Sequence, residues 1–292
     1  MRHIAILITL FFMLIPSAGI AYDLLVIQSQ RSPVYDEVLR GVRSVAKHSH
    51  RIIVLNEYAD VDLQRIVREE NPLVILTLGD NALAAARKVK QVPIVSLMAL
   101  SYRAGMGGHP ALTGVEVQIP PDRYLNILGA IKTRRVGIIA NTSRNAGYLK
   151  QAQRLASRQG IELVIRDVKS PRDVAVQLDS LAGKVDGLWM LPDTSIATGE
   201  AADAFFLFAA SRRLPVIAFS STYLAFGSAI ILEIDRFDIG RQGGEMLSQL
   251  LDGVDITSVP PEVPRKSLIK INPVVLRRVG VSPDLPVFKG GS

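Results

Sequence analysis

Apolar residues along this chain fall into two alternating patterns. Short, almost wholly apolar runs at 24–27, 52–55, 73–78 and 94–97 have the length of strands and lack polar alternation, the mark of strands covered on both faces. Between them the period lengthens to that of a helix: Val34, Val38, Leu39, Val42, Val45 and Ala46 share one face. Ser32 and Pro33 open that helix as cap and first-turn residue. Asp36 and Glu37 lie near its start and Arg40, Arg43 and Lys47 toward its end, the signs the helix dipole favours. Further helices are predicted near 61–69 and over 81–89, and a short strand over 112–115.

A helix over 121–131 leads into a second series of the same kind. Strands are predicted at 136–140, 161–168, 187–191, 216–219 and 229–234, with helices over 145–158 and 196–212. Another helix begins at Ser170-Pro171-Arg172-Asp173, a capping-box pattern. The tail adds a helix over 239–251, a Pro-rich stretch over 259–264, a strand at 267–271 and a short helix from Pro273. Two strand–helix series predict an α/β protein of two Rossmann-like lobes with parallel sheets, and the tail is too short for a third domain. The expected lobes are residues 22–118 with 236–256, and 119–235 with 257–292, joined by three chain crossings that form a hinge.

Composition narrows the class. At 292 residues, 48% hydrophobic and 21% charged, the chain is neither disordered nor fibrous. With no cysteine it has no disulfide, thiolate metal site, cysteine nucleophile or lipid-modified N-terminal cysteine. A net charge of +7 is a modest excess that bears on solubility rather than fold. Residues 1–21 read as a cleavable secretory signal: a basic start at Arg2, an apolar run over 4–15, then Pro16 and small residues up to Ala21. The apolar run is too short for a membrane-spanning helix. Export without an anchor predicts a periplasmic protein.

The order of several motifs resembles one known family. Pro33-Val-Tyr-Asp-Glu-Val-Leu-Arg-Gly41, Pro93-Ile-Val95, Leu112-Thr-Gly-Val115, Arg135-Val-Gly-Ile-Ile-Ala-Asn141, Leu191-Pro-Asp193 and Leu214-Pro-Val-Ile-Ala-Phe219 carry the likeness. The C-terminal block adds Gly240-Arg-Gln-Gly-Gly244, Leu250-Leu-Asp-Gly253, Ile271-Asn272 and Val279-Gly-Val281 before Pro283. Together they resemble the substrate-binding proteins of ABC transporters, the group that includes tryptophan- and tyrosine-binding members, with a type I periplasmic binding-protein fold. The resemblance implies capture of a small organic solute, such as an amino acid or other carboxylate, and its delivery to an ABC permease. A second use of the same fold is a periplasmic sensor that signals to a membrane kinase or cyclase. The family usually carries an Asp-Pro segment after the fourth strand. Here that place reads Met98-Ala-Leu-Ser-Tyr-Arg-Ala-Gly-Met-Gly-Gly108, so an aromatic amino acid is not implied.

Ligands of open α/β sheets sit at the carboxyl ends of strands, where helix N-termini offer free N–H groups to anions. Those ends carry Ser29, Gln30 and Arg31; Gly79, Asp80 and Asn81; Tyr102; Asn141, Thr142, Ser143 and Asn145; Asp193 and Thr194; and Ser220 and Ser221. Such residues also serve as ordinary helix caps. Asp193 suits a ligand ammonium, and Tyr102 with Arg103 suits an anionic solute, although the same loop could instead meet a membrane partner. Arg31 could clamp a carboxylate or lie solvated in its loop. Tyr102, Tyr148 and Tyr223 could stack on a ligand or lie half-buried at the surface, and Trp189 belongs to the core.

Catalytic signatures are missing from the sequence. His48 and His50 read as a solvated turn, His109 has no evident partner, and no nucleophile elbow, zinc-protease helix or phosphate loop occurs. Neither a cofactor nor a metal is expected, and the basic pairs scattered at element edges do not suit nucleic acid. The expectation is a monomeric, non-enzymatic binding protein.

Overall fold

The computed structural model describes residues 22–102, 109–193, 195–196 and 198–289. The expected signal, residues 1–21, lies outside them. In the first series β1 (Leu24–Gln28), α1 (Pro33–Val45), β2 (His50–Val54), α2 (Leu63–Glu70), β3 (Val74–Leu78), α3 (Asp80–Ala86), β4 (Ile94–Leu97) and β5 (Leu112–Gly114) follow in order. They form a five-stranded sheet, β2-β1-β3-β4-β5, every pair of which is parallel. All five residues of β1 are buried. Leu24 and Val26 point into a core under α1, while Leu25 and Ile27 point into a second core under α2 and α3. That explains an apolar strand without alternation.

The second series is α4 (Pro121–Ala130), β6 (Arg135–Ala140), α5 (Ala146–Arg158), β7 (Glu162–Asp167), α6 (Val174–Asp179), β8 (Gly187–Trp189), α7 (Gly199–Ser211), β9 (Val216–Ala218) and β10 (Ile230–Ile234). The tail supplies α8 (Arg236–Leu251), β11 (Ser267–Ile271) and α9 (Pro273–Arg278). The second sheet has six strands, β11-β10-β9-β8-β6-β7. Its pairs are parallel except β11–β10, because β11 returns antiparallel along β10. No crossover helix packed on this sheet precedes β11, so its direction is not constrained to match. Trp189 is fully buried, with its ring 4.7 Å from that of Tyr124 and 6.0 Å from that of Tyr148.

The tail divides between the two halves. Ile239, Met246 and Leu247 of α8 join the core beneath α1, whereas Leu276 of α9 joins the core of the second sheet. Helices α1 and α8 cross on glycine. A Cβ added to Gly41 would lie 2.1 Å from the Phe237 carbonyl oxygen, and one added to Gly240 would lie 2.0 Å from that of Val38. Neither position admits any larger residue without parting the helices.

Three crossings join the halves: 115–120, Asp235 and 256–266. The first and third pair in register, with Glu262 N donating to Gly114 O at 3.0 Å and Glu116 N to Glu262 O at 2.9 Å. The Asp235 N–H reaches Lys266 O at 3.3 Å. Gln242 of α8, wholly buried, donates to Val263 O at 3.1 Å and accepts from Arg265 N at 3.1 Å. The crossings are thereby tied to one another and to α8.

Several element boundaries shift by two or three residues, and two of these local readings have a visible cause. The capping box at Ser170 and Asp173 is present, but it opens a single 3-10 turn, Pro171–Asp173, before α6. The helix expected from 239 starts at Arg236, where the Asp235 carboxylate caps Asp238 N at 3.0 Å.

Candidate functional site

A crevice runs between the two halves, at the carboxyl ends of both sheets. It consists of two pockets of about 280 and 290 Å³ that share Leu100, Val117 and Pro192. Ser101, Tyr102, Glu116, Gln118, Arg144, Asn145 and Asp193 make the first pocket rich in polar groups. Val34, Tyr35, Met98, Ile119, Tyr124 and Phe219 give the second a largely apolar lining, with Gln30, Ser32, Ser220, Glu233 and Arg236 as its polar members.

Asp193 organises the polar pocket. The side chain is 4% exposed, and Oδ2 accepts from Asn141 N and Asn145 Nδ2, each at 2.7 Å. Oδ1 accepts from Ser195 N at 2.7 Å. A carboxylate has about four acceptor positions, and among the described residues these three donors hold the group. Gln118, on the first crossing, donates from Nε2 to Asn145 Oδ1 at 2.9 Å and links the hinge to this cluster. Tyr102 is 1% exposed. Burial, then the Glu116 charge, pushes its phenol above the ordinary range, with Thr113 acting in the opposite sense.

The loop that carries Tyr102 is set from below. Gly79 adopts φ +90°, and a Cβ there would lie 2.1 Å from Tyr35 Oη, so glycine alone allows strand, loop and Tyr35 to meet. The Asp80 carboxylate then accepts from Ser101 N at 2.7 Å and Leu100 N at 3.3 Å. Ser29 Oγ accepts from Ala82 N at 3.0 Å and so acts on α3.

Facing the other pocket, Glu233 is buried at the end of β10. It accepts from Ser221 Oγ at 2.7 Å and Ser221 N at 3.0 Å, and pairs with Lys270. Burial raises its carboxyl pKa, but the bonds from Lys270 and Ser221 outweigh that and hold it below the usual range.

Of the residues singled out from the sequence, the crevice gathers Gln30, Tyr102, Asn145, Asp193 and Ser220. Asn141 stands behind Asp193, Ser221 behind Glu233, and Ser29, Gly79 and Asp80 beneath the Tyr102 loop. Asn81 is exposed and lines neither pocket. Thr142 turns away, with N and Oγ1 donating to Asp167 Oδ1 at 2.9 and 2.7 Å. Together with a stronger bond from Lys169 these draw the Asp167 carboxyl down to about 2. Thr194, Arg103 and the three glycines of that loop lie outside the described residues. Arg31 pairs with Glu57 at the surface. Tyr148 is buried, not half-exposed, and donates to Ile119 O at 2.8 Å; Tyr223 is buried among Phe206, Phe219 and Phe226. His109, without an evident partner in sequence, is buried with Nε2 2.7 Å from Val89 O.

Sequence reasoning missed Glu116, Gln118, Glu233 and Arg236. All four lie on or beside the crossings, and the lobe boundaries were the signal that could have found them. Among the described residues no group of three or more histidine, aspartate or glutamate side chains could hold a metal ion, and no helix is long and apolar enough to cross a membrane.

Comparison with known proteins gives consistent results. The profile of a family described as ABC transporter substrate binding protein matches residues 56–287. A tyrosine-binding protein of Clostridioides difficile (strain R20291) is 22% identical over 225 residues, 73% of this chain and 64% of that protein. The match therefore spans just under two thirds of that relative's length. Among solved structures, a conserved domain protein from Vibrio cholerae superposes with TM-score 0.69 at 20% identity, covering 93% of this chain and 99% of that one. An ABC domain in complex with L-Trp from Streptococcus pneumonia gives 0.66 at 17% identity, covering 92% and 99%. The ligand-free, open structure of a substrate binding protein with adhesive properties from Clostridium difficile gives 0.70 at 19%, covering 90% and 96%. These structural likenesses establish the fold: two α/β lobes of the type I periplasmic binding-protein kind.

Proposed function

Since the chain belongs to the ABC transporter substrate binding protein family, we propose that it captures a small organic solute between its lobes and delivers it to an ABC permease. On this reading residues 1–21 direct export to the periplasm and are removed, and the mature protein works as a monomer without catalysis. Residues 22–118 with 236–256 move as one lobe, and 119–235 with 257–292 as the other, about the three crossings.

One observation carries the proposal: the crevice is walled by both sheets at their carboxyl ends, where open α/β sheets take ligands. Its two pockets are each near the lower bound for small-molecule sites, which suits a solute of amino-acid to dipeptide size. Acceptors at Asp193 and Gln118 favour an ammonium or hydroxyl, and the apolar wall of the second pocket favours a hydrocarbon body. Relatives that bind tyrosine and L-Trp support an amino acid or another carboxylate as the class.

The test is a thermal-shift panel on the full exported chain. Amino acids, ω-amino acids, simple carboxylic acids and dipeptides are compared with sugars as controls. A bound solute raises the melting temperature by mass action, and Leu100→Trp, which fills the junction of the pockets, removes the shift. Equal shifts in Leu100→Trp and the parent protein place binding elsewhere and reject the proposal.

A further inference from the structure

Among the described residues lining the second pocket, Arg236 carries the only positive charge. It opens α8 directly after the Asp235 crossing, and its side chain is 30% exposed. It makes two ion pairs, Nη1 to Glu37 Oε2 at 3.5 Å and Nη2 to Glu233 Oε2 at 3.8 Å. Both exceed the 2.7–2.9 Å of a charge-assisted hydrogen bond, and among the described residues its guanidinium donates none.

Each carboxylate holds the guanidinium only weakly. Glu233 already accepts the Ser221 amide and hydroxyl and pairs with Lys270. Glu37 is 36% exposed, and an exposed pair at that separation holds weakly. A guanidinium offers a planar fork that matches the two oxygens of a carboxylate. Beside it the pocket presents Val34, Met98, Leu100 and Ile119 to an apolar body.

Resting on the reading of the crevice as a solute site, we propose that Arg236 determines its specificity by taking the solute's carboxylate in a two-point contact. The apolar body then lies along Val34, Met98 and Leu100. A solute long enough to reach the polar pocket presents a donor group, ammonium or hydroxyl, to Asp193.

The experiment measures affinities of acid and amide pairs: L-tyrosine, L-tryptophan, 4-hydroxyphenylpropionate and 6-aminohexanoate, each beside its carboxamide. The full chain is compared with Arg236→Gln, Arg236→Lys, Glu37→Gln and Leu100→Trp. At least one acid binds the parent about tenfold or more tightly than its amide, the scale of a lost hydrogen bond to a charged group. Arg236→Gln abolishes that preference, weakening acid binding far more than amide binding, while Arg236→Lys restores part of it. Glu37→Gln tightens acid binding, because a competitor for the guanidinium is gone. A merely structural Arg236–Glu37 pair predicts instead that both glutamine variants behave alike.

Equal acid and amide affinity, a preference that survives Arg236→Gln, or silence of all four acids overturns the assignment. If Leu100→Trp abolishes binding while Arg236→Gln leaves it intact, the assignment alone fails. If neither substitution affects binding, the crevice itself is not the site.

Discussion

Asp193 shows how one side chain can organise one end of a crevice. Its three internal donors come from the end of β6, the start of α5 and its own loop. Asp193→Ala leaves the buried donors Asn141 N and Ser195 N without an acceptor, at about 1–3 kcal/mol for each such group, and leaves Asn145 Nδ2 with the Asn141 carbonyl oxygen alone. Urea unfolding is expected to show a loss of at least about 2 kcal/mol, and an unchanged midpoint would sink this account of the network. If Asp193 also meets the solute, Asp193→Asn lowers affinity in calorimetry; if it only scaffolds, affinity of the folded fraction holds while stability falls. Glu233 makes a different prediction. Its carboxyl is held below its ordinary 4.5 in the folded protein, so its contribution is present above that value and fades as pH falls through the folded pKa. The gap in melting temperature between the parent and Glu233→Gln should be widest near neutrality and shrink below about pH 4.5. A gap independent of pH would mean that shape, and not charge, is what Glu233 supplies. At this scale the sequence singled out Asp193, Asn145 and Tyr102, and the structure places them in the lining of the crevice, because the ends of buried parallel strands open onto it. It gave no local sign of Glu233 or Arg236, which line the crevice only because the chain crosses between lobes beside them.

Elements were legible where a local rule and a tertiary demand agree. The β1–α1 unit appears as read, since Ser32 accepts from Val34 N as a cap and Pro33 opens the first turn. Where tertiary demand dominates, the reading slipped. The antiparallel β11 follows a crossing, and nothing in its own five residues specifies direction. Helix α8 is the element that binds the tail to the first sheet, and its contact with α1 is a meeting of backbones at Gly41 and Gly240. Gly240→Ala puts a methyl 2.0 Å from the Val38 carbonyl oxygen, a clash that only displacement of the helix relieves. Overpacking usually costs about 1–3 kcal/mol, and here the upper end is expected because the obstacle is backbone. Gly253→Ala is no control, since Gly253 has φ +86° and strain would act there too. Gly199→Ala, with nothing within 4 Å of the added methyl, is. Equal melting temperatures for Gly240→Ala and Gly199→Ala would contradict the close crossing.

At the scale of the molecule, two lobes share three crossings, and those crossings are tied through Gln242, Glu262 and Arg265. The polar pocket hangs from the same frame, because Gln118 on the first crossing holds Asn145. A solute that draws the lobes together would therefore act on residues far apart in sequence and close to the hinge. The two-lobed plan was readable from the repeat of strand–helix series; the crevice was readable only on one side, since the crossings that complete it have no periodic signature. Hydrogen–deuterium exchange, with and without the solute selected by the thermal-shift panel, tests the central claim directly. Capture between the lobes should give new protection in both at once, over 98–102 in the first and 141–145, 191–193 and 219–221 in the second, joined by 233–236 at the hinge. Protection confined to a single lobe, or to the surface groove around Arg51, Tyr58 and Arg65, would contradict capture between the lobes.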